Sequence, residues 1–228
     1  MERPGVITGL LSEAECLKEL PADRRPAVKC AGTGAEQARN AARTLLSEGC
    51  DGLVSFGVAG GLDPALVPGS VVIADGVRAP DGGHIPTDTT WADGLANVLG
   101  ERLAMTRAPV AGSDTVLASD AGKRELRDST GAVAVDMESH GIGEMAAAAG
   151  IPFLAVRAIA DPAARAIPPW VLKGVDEDGG LRPAAVIAPL LARPWMVWAL
   201  IGMARENGKA LGSLRRVASL GGPRLGFG

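Results

Sequence analysis

The chain is poor in cysteine, in histidine, in net charge and in long apolar runs, and each shortage narrows what it can be. Three cysteines among 228 residues, Cys16, Cys30 and Cys50, are odd in number and spaced 14 and 20 residues apart. They match neither a disulfide framework nor a zinc spacing, so reduced thiols and a cytoplasmic location are expected. The two histidines, His84 and His140, have no ligand-type neighbour at useful spacing, and no metal is expected. Charged residues make up only 21%, with a formal net charge of -3, and the basic stripe of a nucleic-acid binder is absent. The most apolar stretch, from Ala184 to Ala204, is broken by Pro189, Arg193 and Pro194. The apolar run after Pro194 is about half of the ~20 residues a membrane span needs. Glu2, Pro4 and Gly5 interrupt the basic start and apolar centre that a signal peptide would show, so none is expected.

What is present is core-forming material. Hydrophobic residues are 47% of the chain, enough for one large folded unit and incompatible with disorder. Short apolar runs bounded by glycine recur at Val6 to Leu11, Val28 to Ala31, Leu53 to Phe56, Val71 to Ala74, Ala132 to Val135 and Phe153 to Ile159. Between them lie alanine-rich segments of helical period, Ala35 to Leu46 and Ser139 to Ala149. The alternation predicts an α/β fold: a single domain with a mixed central β-sheet flanked by helices. Beyond Pro162 the strand signal fades, so residues 1–161 are expected as the α/β core and residues 162–228 as a helical C-terminal extension of the same domain.

Charge is unevenly shared along this division. From Leu181 onward seven basic residues face one acid, giving +6 and leaving -9 for the rest. The same tail holds Trp195, Met196, Trp198, Leu200 and Ile201, with Trp170 just upstream. Two readings stand: a helix packed on the core with a basic solvent face, or an amphipathic surface that meets anionic lipid or a large apolar ligand.

In an open α/β sheet, ligands collect at the carboxyl ends of strands. Four such ends carry chemistry. Gly32-Thr33-Gly34 opens a helix and suits an anion or a sugar hydroxyl, although it lacks the third glycine of a dinucleotide fingerprint. Gly57-Val58-Ala59-Gly60-Gly61-Leu62 is a second glycine-dense end. Val135 runs into Asp136-Met137-Glu138-Ser139, where Asp136 suits a helix N-cap. Ile159 runs into Ala160-Asp161, and Pro162 leaves Asp161 with no helix to cap.

Taken in order, these runs resemble the nucleoside phosphorylase and nucleosidase superfamily. The resemblance covers Val6 to Asp161 and rests on Gly57 to Leu62 followed by Pro68-Gly69-Ser70-Val71-Val72, on Ser113-Asp114-Thr115, on Val135 to Glu138, and on Val156-Arg157-Ala158-Ile159-Ala160-Asp161. The tail, with Pro168-Pro169, Asp176-Glu177-Asp178-Gly179 and Arg193-Pro194, resembles the hopanoid-associated phosphorylase branch. The resemblance implies cleavage of a purine N-ribosyl bond through an oxocarbenium-like transition state. Asp161 is then the general acid toward purine N7, Glu138 the acceptor of the ribose hydroxyls and Met137 the residue against the sugar. Thr115, Val116 and Leu117 are implied to line the base pocket.

The branch implies phosphorolysis, with inorganic phosphate as co-substrate, no cofactor, and adenosylhopane, an adenine nucleoside with an apolar 5′ substituent, as substrate. It also implies a homo-oligomer and peripheral contact with the inner membrane face. Two departures touch the nucleophile: Val58 stands where relatives carry a serine, and the arginine that bacterial phosphorylases place near Ser55 is absent. The remaining phosphate-region candidates are Gly32, Thr33, Gly34, Ser55, Gly57 and an arginine supplied by a partner copy. Hydrolysis is the alternative, since hydrolytic relatives carry a glutamate after the first strand. Glu13 and Glu15 bracket that place, with Ala14 in the ungapped match. A non-catalytic nucleoside or lipid binder is the third reading. Ala160 replaces the serine that usually precedes the catalytic aspartate.

Overall fold

The computed structural model describes residues 2–166 and 197–227. Trp170, Trp195, Met196 and the motifs at 168–169, 176–179 and 193–194 lie outside the described residues, as does the side chain of Trp198. Eight strands form one mixed sheet: β1 (Pro4–Thr8), β2 (Ala27–Cys30), β3 (Gly52–Gly61), β4 (Val71–Arg78), β5 (His84–Pro86), β6 (Met105–Gly112), β7 (Ala134–Asp136) and β8 (Phe153–Asp161). The order is β2-β1-β3-β7-β6-β4-β5, and β8 pairs with both β3 and β4. Strands β3, β8, β4, β6 and β7 therefore close a circuit that leaves none of them a free edge along its paired length.

Long β3 is the axis of this arrangement. Its first half pairs in parallel with β1 and its whole length with β8, while Gly60 and Gly61 pair antiparallel with β7. Helices cover both faces, which is why β3 reads as a nearly continuous apolar run. On one face, α1 (Leu11–Cys16), α3 (Thr89–Leu99) and α6 (Val197–Gly221) pack with Val6, Val54, Phe56, Trp91 and Leu95. On the other, α2 (Ala35–Ser47) and α5 (Ser139–Ala149) pack with Ile7, Leu53, Val72 and Ile159. In α2 the buried set Ala38, Ala42 and Leu45 recurs at helical spacing. Helix α4 (Asp120–Thr130) starts where Ser119 Oγ accepts the Gly122 N–H at 3.1 Å and ends at Gly131 with φ 68°.

The described part of the C-terminal extension is an integral wall of this core. Ala210, Leu214, Val217 and Ala218 of α6 are fully buried, whereas Arg205, Lys209, Arg215 and Arg216 are exposed. Beyond the helix, the Trp91 indole N–H donates to the carbonyls of Arg224 and Leu225, fastening the chain end to α3. Among the described residues no helix is long and apolar enough to cross a membrane.

Candidate active site

The carboxyl ends of β3, β7 and β8 meet the first turn of α1 around an open cleft of about 640 Å³, its mouth included. Its walls are Leu10, Glu13, Thr33, residues 58–60, residues 115–117, Lys123, residues 135–138 and Asp161.

Glu13 occupies one end. It is buried, with Oε2 accepting the N–H groups of Gly9 (2.9 Å) and Leu10 (2.8 Å) and Oε1 accepting that of Val58 (2.8 Å). Burial pushes its pKa up, opposed by the Arg157 charge and these three donors. A carboxylate has about four acceptor positions. The backbone fills three, leaving one for a molecule in the cleft. Gly57 makes the approach feasible: a Cβ there would stand 2.7 Å from Glu13 Oε1 and 2.9 Å from Arg157 Nη1.

Behind the cleft wall, Arg157 is buried and engaged through Nε and Nη2. Its Nε donates to Asp136 Oδ2 at 2.8 Å, and Nη2 donates to Ser55 Oγ and Ser139 Oγ at 2.5 and 2.9 Å. Asp136 also accepts the N–H groups of Glu138 and Ser139, so it satisfies donors at the start of α5 while neutralising the arginine, although the N-cap position itself falls to Glu138 and not to Asp136. Burial raises the Asp136 pKa, but the Arg157 charge and hydrogen bond outweigh it and the net direction is down.

Glu138 follows in the middle of the cleft. Its Oε1 accepts the Gly34 N–H at 3.0 Å, and its carboxyl faces Gly9. Burial, then the nearby Asp136 charge, lift its pKa to about 7, against the pull of Arg157. Met137 and Thr33 flank it on the cleft wall.

Asp161 closes the other end, in register with Gly60 of β3, two residues beyond the Val58 that holds Glu13. Burial raises the Asp161 pKa, while Lys123 lowers it through its charge and a direct hydrogen bond. Thr115, Val116 and Leu117 line the wall at this cleft, and Ser113 Oγ holds the turn by donating to the Thr115 carbonyl at 2.6 Å.

The structure thus brings together Glu13, Thr33, residues 115–117, Met137, Glu138 and Asp161. It separates others. Glu15 points away, 60% exposed and paired with Lys18, because two helix positions turn a side chain by about 200°. Ser55 is buried beneath the wall and committed to Arg157 and Ser139, so it offers phosphate nothing. Gly57 serves as clearance between Glu13 and Arg157, and the Gly34 N–H is taken by Glu138. Gly32 does not line the cleft and forms a turn at φ 85°. Among the described residues four carboxyl groups line the cleft, and the one cation lining it, Lys123, is paired with Asp161.

Sequence reasoning missed Lys123 and the part played by Arg157. A signal for Lys123 existed: it shares a face of α4 with Leu126 and Thr130, whereas Arg124 and Glu125 are exposed.

The sequence model of the phosphorylase superfamily matches residues 16–191, most of the chain. The chain belongs to the phosphorylase superfamily. Among superfamily relatives, a futalosine hydrolase of Streptomyces coelicolor is 32% identical over 127 residues, covering 49% of this chain and 54% of the relative. A 5′-methylthioadenosine/S-adenosylhomocysteine nucleosidase of Mycobacterium tuberculosis is 30% identical over 159 residues, covering 52% of this chain and 62% of the relative. The match therefore spans little more than half the length of either. The corresponding nucleosidase of Neisseria meningitidis, solved with methylthio-immucillin-A, shares the fold at TM-score 0.72, with 20% identity over 96% of this chain and 98% of its own. That of Helicobacter pylori, with butyl-thio-DADMe-Immucillin-A, gives 0.69, with 16% identity over 95% and 97%.

Proposed function

We propose that the protein hydrolyses the N-ribosyl bond of an adenine nucleoside. The observation that carries this reading is the Glu13 carboxylate, held inside the cleft by three N–H groups with one acceptor position open. A water bound there is aimed by a carboxylate that burial makes more basic than its ordinary form. Phosphate suits the same place poorly. It needs uncommitted donors or cations, whereas among the described residues the cleft presents four carboxyl groups and a lysine already paired. The same negative lining favours a cationic, oxocarbenium-like sugar.

Each group has a task in this reading. Glu138 accepts the ribose hydroxyls and Met137 packs on the sugar. Water attacks C1′ and gives its proton to Glu13. The C1′–N9 electron pair moves onto the purine, which Asp161 protonates at N7. Residues 115–117 pack on the base. The phosphorolysis implied by the hopanoid-associated branch gives way to hydrolysis on these grounds.

The apolar 5′ substituent remains part of the proposal. It is supported by Leu10 in the wall and by Leu11 and Val116, which are 68% and 46% exposed. A homo-oligomer and a peripheral membrane contact belong to the same proposal and are read by sedimentation and vesicle co-flotation. The test of function is adenine release from adenosylhopane, methylthioadenosine and S-adenosylhomocysteine, each with and without phosphate. Release indifferent to phosphate supports the reading, and release that requires phosphate overturns it. Preference for the small 5′ groups would refute the apolar-tail assignment.

A further inference from the structure

Lys123 is the most deeply buried charged side chain of α4, 1% exposed, and no step of the proposed hydrolysis uses it. Its ammonium donates to Asp161 Oδ2, to the Pro162 carbonyl at 3.0 Å and to the Arg165 carbonyl at 3.2 Å. Three acceptors match the three hydrogens of the charged form. The neutral amine fits equally well. It would keep two N–H groups for the carbonyls and turn its lone pair to a proton on Asp161. The site therefore accommodates the proton on either partner without moving an atom heavier than hydrogen.

Asp161 needs such a partner. Ala160, the residue before it, has no hydroxyl, and among the described residues Lys123 is the side chain that hydrogen-bonds its carboxylate. The other charged groups nearby are Glu206 of α6, beside Asp161, and Arg165, which pairs with Glu206. Across the cleft lies the Glu13, Arg157, Asp136 and Glu138 group. With its three hydrogens matched to three acceptors, Lys123 is placed to hold the acidic proton that it shares with Asp161.

We infer that Lys123 is the proton source for the leaving purine, acting through Asp161 as a positioning and proton-supplying residue. The inference rests on the proposed N-ribosyl cleavage. When a nucleoside fills the cleft and excludes water, a separated ion pair becomes costly, and transfer from Nζ to Oδ2 leaves two neutral groups. As the C1′–N9 bond breaks, its electron pair moves onto the ring and Asp161 passes a proton to N7. One proton leaves Nζ, one arrives on the purine, and Asp161 ends ionised as it began. Glu13 holds the proton taken from water, and exchange with solvent after product release returns one to Lys123.

The test compares Lys123→Met and Lys123→Arg with the wild type on an adenine nucleoside and on 4-nitrophenyl riboside, whose leaving group departs unprotonated. Lys123→Met is expected to lower kcat on the adenine nucleoside by about 100-fold or more at neutral pH. Part of the loss should return as pH falls, because solvent then protonates the buried carboxyl. Lys123→Arg keeps the charge but cannot release its proton, so its kcat should stay low. Cleavage of the nitrophenyl riboside should fall far less than that of the adenine nucleoside in both.

Full turnover in Lys123→Arg would reduce Lys123 to a charge that places Asp161 and overturn the inference. An equal loss on both substrates at every pH would mark a structural role and overturn it as well. Should Lys123→Met not fold, Lys123→Arg and the nitrophenyl substrate decide the matter. A wild type that releases adenine from no nucleoside would sink the proposed function itself, a result distinct from either variant outcome.

Discussion

The backbone N–H of Val58 donates to Oε1 of Glu13 at 2.8 Å across 45 residues of sequence. That bond joins the end of the central strand to the first turn of α1 and fixes a buried carboxylate against the place where the sugar would lie. The side chain at position 58 carries no hydroxyl, yet its main chain does the orienting. Replacing Glu13 by Gln keeps the shape and removes the base. Turnover is expected to fall by about 100- to 10,000-fold. Binding of a non-cleavable nucleoside, measured by calorimetry, should change far less.

Gly57 lies between Glu13 and Arg157 with no room for a methyl group. Gly57→Ala forces a Cβ to within 2.7 Å of Glu13 Oε1, and the packed strand cannot move away cheaply. A stability loss of about 1–3 kcal/mol is expected from overpacking, together with reduced turnover because the carboxylate is displaced. Urea denaturation and steady-state kinetics on the same preparation check both.

The Arg157–Asp136 pair is buried on both sides. Arg157→Met would leave Asp136 charged and unpaired, at a cost of about 3–5 kcal/mol. The pH dependence gives a second readout. The folded-state pKa of Asp136 lies below its ordinary value, so the pair contributes stability that is present above about pH 4 and lost as pH falls through the folded value. That acid loss should be visible in the wild type and absent in the variant.

Glu138 runs the opposite way. Its folded-state pKa of about 7 lies above the ordinary 4.5, so the native state holds an extra proton between those values. Stability should therefore decline as pH rises from 4.5 to about 7 and level off beyond. Glu138→Gln should remove that slope. Affinity for a ribosyl ligand should strengthen as pH rises through 7, because the ionised carboxylate is the better acceptor of both hydroxyls.

Much of this arrangement was legible in the chain. The apolar run Phe153 to Ile159 lies within β8, and Ser139 to Ala149 is α5. Asp161 and Glu138 stand at strand ends, where topology alone would place them in one cleft. Strand β6 was hidden because Arg107 and Pro109 interrupt its pattern. The Pro109 carbonyl still accepts the Val133 N–H at 3.0 Å, so the missing donor does not prevent pairing. Helix α4 was hidden by its polarity, and Lys123 with it. The choice between Glu13 and Glu15 needed the start of α1. Leu10 and Leu11 read as a continuation of the first apolar run, yet they begin a helix, and only a helix sends these two glutamates to opposite sides.

The central claim is that water, activated by Glu13, attacks the ribosyl carbon. Oxygen-18 water tests it directly: adenine is released from a 5′-substituted adenine nucleoside in the presence of phosphate, and the sugar product is analysed by mass spectrometry. The account predicts a free sugar carrying one solvent-derived oxygen at C1′, at a rate that phosphate does not change. A sugar 1-phosphate without solvent label, formed at a rate that rises with phosphate, would contradict it.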